Sequence, residues 1–325
     1  MRPKVVLVTG VSGELGGRLL SRLGARSDLE RVVGVDTSPP AAKILRRLGR
    51  AEFVRVDIGN PLIAKIMTSA RVDTVVHAGP TCHPAGSGRR WAGKEATVIG
   101  TMRLLAACQN SPYVRTLVVT STTAVYGASP RSRAVFTEDA ELIPTTVSGY
   151  SKDAVELEGY VRGFARRRPE VGVTTLRLAD VLAPDFDTVF SRYFSLPLVP
   201  TVLGFDARLQ FLHSEDALAV LERATVRARP GVSEVFNVAG QGVLALSQAI
   251  RRAHRVPVSV PRAAMPSLGR ALRGARRVNT SPDLLRLLSF GRVVDTTLLR
   301  RDFGYSPRWT TPQTFDDAVV SRGVT

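Results

Sequence analysis

The residues best suited to chemistry lie near the N-terminus, where a glycine-rich stretch joins a short apolar run to a helical pattern. The stretch reads TGVSGELG and ends at Gly16. Gly10 permits a sharp turn, Gly13 lets the backbone approach a diphosphate, and Gly16 allows close packing of helix on strand. The first N–H groups of the helix, beginning at Glu14 and Leu15, would face the diphosphate with a partial positive charge. The pattern predicts a dinucleotide site.

A carboxylate ends the second apolar run, 20 residues after Gly16. Asp36 is therefore placed to accept hydrogen bonds from the hydroxyls of an adenosine ribose. A carboxylate at this point repels a 2′-phosphate, and no arginine follows it directly. We therefore predict NAD rather than NADP as the cofactor, with a ligand-free glycine turn as the alternative.

The elements that must position these residues alternate between strand and helix patterns. Apolar runs predict strands at residues 4–9, 31–35, 52–56, 72–77, 114–120 and 171–178, and helical spacing predicts helices at 13–23, 41–48, 61–69, 94–109 and 151–168. This alternation indicates an α/β protein with a doubly wound parallel sheet. After about residue 180 the elements become shorter. We expect a cofactor-binding domain at residues 1–180 and a smaller substrate-binding region at 181–325, partly interleaved with the sheet.

A series of motifs runs in order through nearly the whole chain. Besides TGVSGELG and Asp36, they are VVHAG from Val75, STTAVYG from Ser121, YSKDAVE from Tyr150, LRLADVLAP from Leu176, FLHSEDA from Phe211 and FNVAG from Phe236. With these motifs the chain resembles the extended short-chain dehydrogenases, specifically the NAD-dependent epimerase/dehydratase group that includes UDP-glucose 4-epimerases.

The resemblance implies a Rossmann-type fold, an NAD cofactor and a nucleotide-sugar substrate. It implies that Asp57 and Ile58 contact adenine and that Gly79 lies beside the cofactor. It also implies a homodimer formed through the helices predicted at residues 94–109 and 151–168.

The family's reaction is a reversible hydride transfer in which a tyrosine moves a proton on the sugar. By resemblance, Thr122 orients the substrate, and Lys152 holds the nicotinamide ribose and lowers the pKa of the tyrosine. The tyrosine position, however, is occupied by Ser148. A serine can relay a hydrogen bond, but it does not ionise near neutral pH as a tuned phenol can. Tyr150 would point about 200° away from Lys152 on a helix, unless the segment before Lys152 is not helical.

A second departure falls in the substrate region, where Asp180 replaces the family's asparagine. A carboxylate beside a diphosphate needs a cation to neutralise it, and Arg208 and Arg177 are the candidate partners. Two functions therefore stay open. The preferred one is an NAD-dependent epimerase or dehydratase acting on a nucleotide sugar, with an atypical active site. The alternative is a non-catalytic NAD-binding protein that senses redox state or acts as a scaffold.

The composition of the chain excludes several other classes of protein function. The net charge is +17, with 45 basic residues of which only five are lysine. The arginines are dispersed and lack interleaved aromatic residues, so we expect no dedicated nucleic-acid binding. No apolar run approaches the roughly 20 residues that span a bilayer, and a basic amphipathic pattern at 262–277 indicates a surface helix rather than a membrane contact. Two cysteines fit a reducing, cytoplasmic compartment, and His77, Cys82 and His83 lack zinc-ligand spacing, so no metal is expected.

Overall fold

A parallel sheet with helices on both faces forms the centre of the molecule. The computed structural model describes residues 3–79, 98–143, 149–227, 229–265, 267, 269 and 281–320. Its strands are β1 (Val5–Thr9), β2 (Arg31–Asp36), β3 (Ala51–Arg55), β4 (Thr74–His77), β5 (Thr116–Thr122), β6 (Gly172–Leu178), β7 (Asp180–Leu182), β8 (Leu198–Val202), β9 (Arg208–Leu209), β10 (Phe211–His213), β11 (Ser233–Val238), β12 (Leu244–Ala245) and β13 (Val256–Val260).

The α-helices lie between these strands and after them. They are α1 (Glu14–Gly24), α2 (Ala42–Leu45), α3 (Leu62–Ser69), α4 (Gly100–Asn110), α5 (Tyr150–Arg167), α6 (Val189–Phe194), α7 (Ser214–Arg227), α8 (Leu246–Arg252), α9 (Pro282–Phe290), α10 (Thr297–Arg301) and α11 (Thr311–Phe315). A 3-10 helix covers Thr123–Tyr126, and a π-helix covers Asp316–Val320.

The main sheet has seven strands in the order β11-β6-β5-β4-β1-β2-β3, all paired in parallel. From β1 the chain proceeds outward to β2 and β3, and then crosses back to β4 on the other side of β1. The strand order therefore reverses beside the carboxyl end of β1. In sheets of this type, ligands bind in the crevice at that point. The predicted doubly wound Rossmann-type sheet is confirmed.

Two apolar layers cover the faces of this sheet. One contains Leu19, Leu20 and Leu23 of α1 together with Leu218 and Leu221 of α7. The other contains the buried faces of α3, α4 and α5, such as Leu157, Val161 and Phe164, which recur at helical spacing. The central strand β1, VVLVT, is nearly all apolar because both of its faces are buried.

The last strand of the main sheet comes late in the sequence. β11 pairs with β6 over six residues, from Ser233 opposite Val173 to Val238 opposite Leu178. The sheet therefore includes residues on both sides of position 180, the boundary placed between the two predicted regions. Interleaving of this kind joins the earlier and later parts of the chain through one set of hydrogen bonds.

Short two-stranded sheets and an aromatic cluster organise the part of the chain after residue 180. β7 pairs with β10, β9 with β12, and β8 with β13. Aromatic side chains from α6, β10 and α11 pack together, and the rings of Phe194 and Phe315 meet edge to face with their centroids 4.8 Å apart. Asp216 accepts hydrogen bonds from the Tyr305 hydroxyl (2.7 Å) and from the Trp309 backbone N–H (2.9 Å), which fixes the C-terminal segment to α7. Across the residues described, we find no helix with the length and hydropathy required to cross a membrane.

Candidate functional site

The glycine turn after β1 brings backbone atoms unusually close together. Gly10 has φ +77°, and a Cβ there would lie 2.2 Å from the Cα of Gly79. A Cβ on Gly16 would lie 2.2 Å from the carbonyl oxygen of Gly10. Side chains at either position would displace backbone, so both glycines are required by the turn itself. Gly13, which has no side chain to cap α1, stands at the N-cap and leaves the first turn of the helix, with Glu14 and Leu15, open to an external anion.

Asp36 lies at the carboxyl end of β2 and reaches back to the glycine turn. Its Oδ2 accepts from the Ser12 backbone N–H at 2.9 Å and from the Ser12 hydroxyl at 2.7 Å. Its Oδ1 accepts from the Thr37 N–H at 2.7 Å and from the Thr37 hydroxyl at 3.3 Å. The two backbone donors fix the carboxylate, whereas the two hydroxyls can rotate and give way to ribose hydroxyls. The arrangement fits an NAD ribose.

The next strand ends in a tight turn that carries the predicted adenine contacts. Asp57 follows β3 by two positions, and its Oδ1 accepts from the Gly59 N–H at 2.7 Å. Ile58 packs against the apolar layer on the α3 side of the sheet. Arg103 of α4 donates to the Gly59 carbonyl at 3.1 Å. The turn therefore lies next to the end of β2, beside the carboxylate that would hold the ribose.

His77 ends β4 and is completely buried under the glycine turn. Its Nδ1 lies 2.6 Å from the Thr9 hydroxyl, and its Nε2 lies 2.8 Å from the Thr101 hydroxyl. Burial lowers the pKa of His77 to about 4, so the ring is neutral at ordinary pH. Through these contacts the His77 ring links β1, β4 and α4, and its role is therefore structural. Cys82 and His83 lie outside the described residues, and within those residues no cluster of three metal-ligating side chains occurs.

The structure brings the segment after Thr122 and the start of α5 together at the carboxyl end of β5. Thr122 ends β5, is buried, and accepts from the Ala124 N–H at 3.2 Å, which caps the following 3-10 helix. The Ser151 hydroxyl donates to the Ala124 carbonyl at 2.8 Å. This hydrogen bond ties the first turn of α5, with the half-buried Lys152, to the segment that begins at Thr122.

The helical start of α5 determines where the tyrosine candidate lies. Gly149 is the N-cap and Tyr150 is the first helical residue. Tyr150 and Lys152 are therefore both helical and project about 200° apart around the axis. Tyr150 could turn toward the site only if the segment before Lys152 were not helical. Because Tyr150 is already helical, this condition is not met there. Ser148 lies outside the described residues.

A buried polar network lies beneath Thr122, and sequence analysis did not identify it. Glu158 of α5 accepts from the Arg177 Nε at 3.0 Å, from the Arg177 Nη2 at 2.8 Å and from the Ser121 hydroxyl at 2.6 Å. Arg177 also donates to the Tyr126 hydroxyl at 2.7 Å, which in turn donates to Asn237 at 2.7 Å. Burial opposes the charge on Arg177, but the hydrogen bond and charge of Glu158 leave its pKa raised.

Tyr126 is a member of this network, and its chemistry is restricted by its surroundings. Burial raises the pKa of Tyr126 to about 12, despite the nearby charge of Arg177. The phenol is therefore neutral near pH 7. Tyr126 does not replace the missing phenolate and instead supports the strand end that carries Thr122.

The C-terminal third of the chain places an arginine beside Asp180 that differs from the two predicted partners. Arg292, which follows α9, lies with its Nη2 3.5 Å from the Asp180 carboxylate and donates through Nε to the Thr123 hydroxyl at 3.1 Å. Arg177 pairs instead with Glu158, and Arg208 donates to the Ala134 carbonyl at 2.9 Å. Arg292 lies 112 residues from Asp180 in the chain. Its position after Gly291 is the only feature of the sequence that marks it.

Asp180 and Arg292 line a small cavity between Thr123 and β9. Its volume of about 10 Å³ is close to the minimum for one water molecule. Substrate entry would therefore require the side chains around the ion pair to move apart.

Comparison with known proteins gives a consistent result. Residues 6–239 match the model of the NAD dependent epimerase/dehydratase family. An uncharacterized protein of Mycobacterium tuberculosis is 48% identical over 323 residues, covering 99% of this chain and 85% of that protein.

Two solved structures share the fold. A dTDP-glucose 4,6-dehydratase from Bacillus anthracis, in complex with NAD, has a TM-score of 0.72 at 17% identity and covers 99% of this chain and 97% of that one. A UDP-glucose-4-epimerase from Stenotrophomonas maltophila, with bound NAD, has a TM-score of 0.72 at 18% identity and covers 97% of this chain and 96% of that one. At these identities the likeness extends to the fold alone.

Proposed function

The chain belongs to the NAD-dependent epimerase/dehydratase family, and from this premise we propose that it binds NAD and acts on a nucleotide sugar by transient hydride transfer. The observation that carries the proposal is the presence of three features along the carboxyl edge of the sheet. These are the glycine turn at Gly10, the fixed carboxylate of Asp36, and the Thr122 segment tied to α5. Together they supply a cofactor crevice and a hydroxyl beside it.

Each residue of the crevice has a distinct part in holding NAD. The backbone from Gly13 to Gly16 takes the diphosphate at the N-terminus of α1, and Asp36 takes the ribose hydroxyls. Asp57 and Ile58 take the adenine, and Gly79 leaves room beside the cofactor. Lys152 holds the nicotinamide ribose. When bound, NAD supplies a reversible hydride acceptor for a sugar carbon.

The remaining chemistry falls to the chain's own side chains. The Thr122 oxygen already accepts from Ala124, which leaves its proton to donate to a sugar hydroxyl. Lys152 contributes a positive charge on the α5 side. Ser148 and a water molecule are assigned to relay the proton of the sugar hydroxyl to solvent, with Tyr150 as the less favoured candidate because of its direction on α5.

Asp180 and Arg292 are assigned to the substrate side. A diphosphate would draw Arg292 away from Asp180, because an arginine fork binds a phosphate with two parallel hydrogen bonds. Arg208 stays a candidate for the same role at the edge of the region.

One feature favours a second candidate function, a non-catalytic NAD-binding protein. Serine stands at the family's tyrosine position, and the nearest tyrosine in sequence is already helical. A protein of this kind would hold NAD in the same crevice and would signal through binding alone.

An experiment with two stages separates the two functions. NAD is titrated by calorimetry, and UDP-hexoses are then added while NADH absorbance and epimer formation are followed. Turnover of any sugar supports the enzyme, whereas NAD binding without turnover across a broad panel supports the second function. If NAD does not bind in the titration, both proposed functions are refuted.

A variant pair tests the role of position 148. If the chain is an enzyme limited by its weak base, Ser148→Tyr should increase hydride transfer, because a phenol beside Lys152 can ionise. Ser148→Phe provides the matched control, since it adds the ring without the hydroxyl. Equal rates for the two variants would show that the phenol is not the limiting group.

Assembly and location complete the proposal. We assign a homodimer formed through α4 and α5, and the exposed apolar side chains of Ile99 and Met102 at the start of α4 support it. Cytoplasmic residence remains the prediction of the sequence. Sedimentation analysis of the purified protein tests the dimer.

A further inference from the structure

A basic groove lies on the outer surface of α1, away from the glycine turn. Its cations are Arg18 and Arg22 of α1, Lys43 of α2, and Arg46 and Arg47 just after α2. Asp185 and Glu215 complete its polar wall, and it encloses about 540 Å³. This volume lies within the roughly 300–1,000 Å³ typical of small-molecule sites. We refer to it below as the α1 groove.

The charges of the α1 groove do not cancel. Asp185 pairs with both Arg18 and Lys43, and Glu215 pairs with Arg22. Glu14 reaches the same end of the groove at 3.4 Å from Arg18. Positive charges still outnumber negative ones, five to three with Glu14 included.

The excess charge is concentrated at one end of the groove. Arg46 and Arg47 are exposed, and neither forms an ion pair within the described parts of the chain. Arginines without a carboxylate partner favour an external anion, and arginine forks match phosphate oxygens in geometry. A concave wall with a net charge also concentrates the field more than a flat surface does.

The floor of the groove is apolar and firmly packed. Ile44 is 6% exposed and Leu218 is 1% exposed. The limited volume favours a small molecule over a nucleic-acid strand.

The groove is separate from the cofactor crevice. Arg18 and Arg22 share one face of α1 because they are four residues apart. They lie in the second and third turns of α1, whereas the diphosphate site is at its first turn. Leu19 and Leu23, about 100° around the axis, pack into the core. We propose that the α1 groove is a second ligand site that binds a small phosphorylated molecule while NAD occupies the crevice.

Calorimetry with inorganic pyrophosphate tests this proposal on the full-length protein already saturated with NAD. We expect binding at one site, and the affinity should fall with rising ionic strength. The double variant Arg46→Ser/Arg47→Ser should weaken it by at least about tenfold, because two charge-assisted contacts are lost. Arg300→Ser/Arg301→Ser on α10 is the matched control. It removes the same charge elsewhere and should change the affinity by less than about twofold.

Several results would overturn the proposal. One is the absence of binding, and another is an equal loss in both double variants, which would indicate attraction by net charge alone. Competition between pyrophosphate and NAD would place the anion in the crevice. Binding to phosphatidylglycerol vesicles that depends on Arg46 and Arg47, without pyrophosphate binding, would identify a lipid surface instead.

Discussion

The buried ion pair between Arg177 and Glu158 offers a sharp test of how the site is supported. Their side chains are only 4% and 3% exposed. Glu158→Gln keeps the size of the side chain and removes its charge, which leaves the Arg177 guanidinium buried without a counter-ion. Removing one partner of such a pair costs about 3–5 kcal/mol. Because glutamine retains one hydrogen-bonding oxygen, we expect a loss of about 3 kcal/mol in the free energy of unfolding.

The chain contains a matched control for this variant. Arg31 and Glu52 form the same two-pronged pair, with Nε–Oε1 and Nη2–Oε2 distances of 3.1 and 2.8 Å, but they are 45% and 51% exposed. Glu52→Gln should cost no more than about 1 kcal/mol, because water screens an exposed pair. Hydrogen-bond geometry is thus held constant while burial changes.

Urea denaturation of the three proteins, followed by circular dichroism, measures the difference. The midpoint for Glu158→Gln should fall well below that of Glu52→Gln, with similar slopes for both. If the two variants differ by less than about 1 kcal/mol, burial does not determine the strength of this pair. The view that the network holds the Thr122 strand end in place would then be refuted.

Three further predictions concern the crevice. Gly10→Ala should abolish NAD binding, because its Cβ would lie 2.2 Å from the Cα of Gly79. The control Gly204→Ala, with φ +81° and no atom within 4 Å of its Cβ, should cost only about 1 kcal/mol of strain. Calorimetry measures NAD binding by the two variants, and urea denaturation measures their stability. Asp36→Ala should weaken NAD binding about tenfold or more and reduce the preference for NAD over NADP, since a hydrogen-bonded charge is lost; an unchanged preference would contradict the assignment. The pKa of His77 is about 4 in the folded protein and about 6.5 when unfolded. Its neutral form therefore stabilises the fold above pH 6.5, and about 3 kcal/mol is lost as pH falls toward 4. His77→Gln should flatten that part of the stability profile.

The sequence predicted the elements of the sheet because their strands are buried on both faces. Continuous apolar runs located β1, β2 and β4 to within two residues. The glycine turn and Asp36 could also be predicted from the sequence, because their function depends on local spacing along the chain. Local patterns of this kind are preserved in the linear sequence.

The pairs that hold the site together could not be predicted in the same way. Glu158 with Arg177, and Asp180 with Arg292, join separate elements, and periodicity indicates only which face of an element is buried. The placement of β11 beside β6 depends on how the last third of the chain folds back. The spacing of residues in the sequence does not show where this part of the chain folds back onto the sheet.

The edge position of β11 also bears on how the protein is made. During synthesis β6 leaves the ribosome well before residue 233, so its outer backbone groups wait for a partner until β11 emerges. An unpaired edge of a parallel sheet invites association with other chains. A fragment cut at residue 180 would retain that exposed edge permanently, and laboratories seeking a minimal cofactor-binding unit should therefore extend their expression fragments at least through Val238.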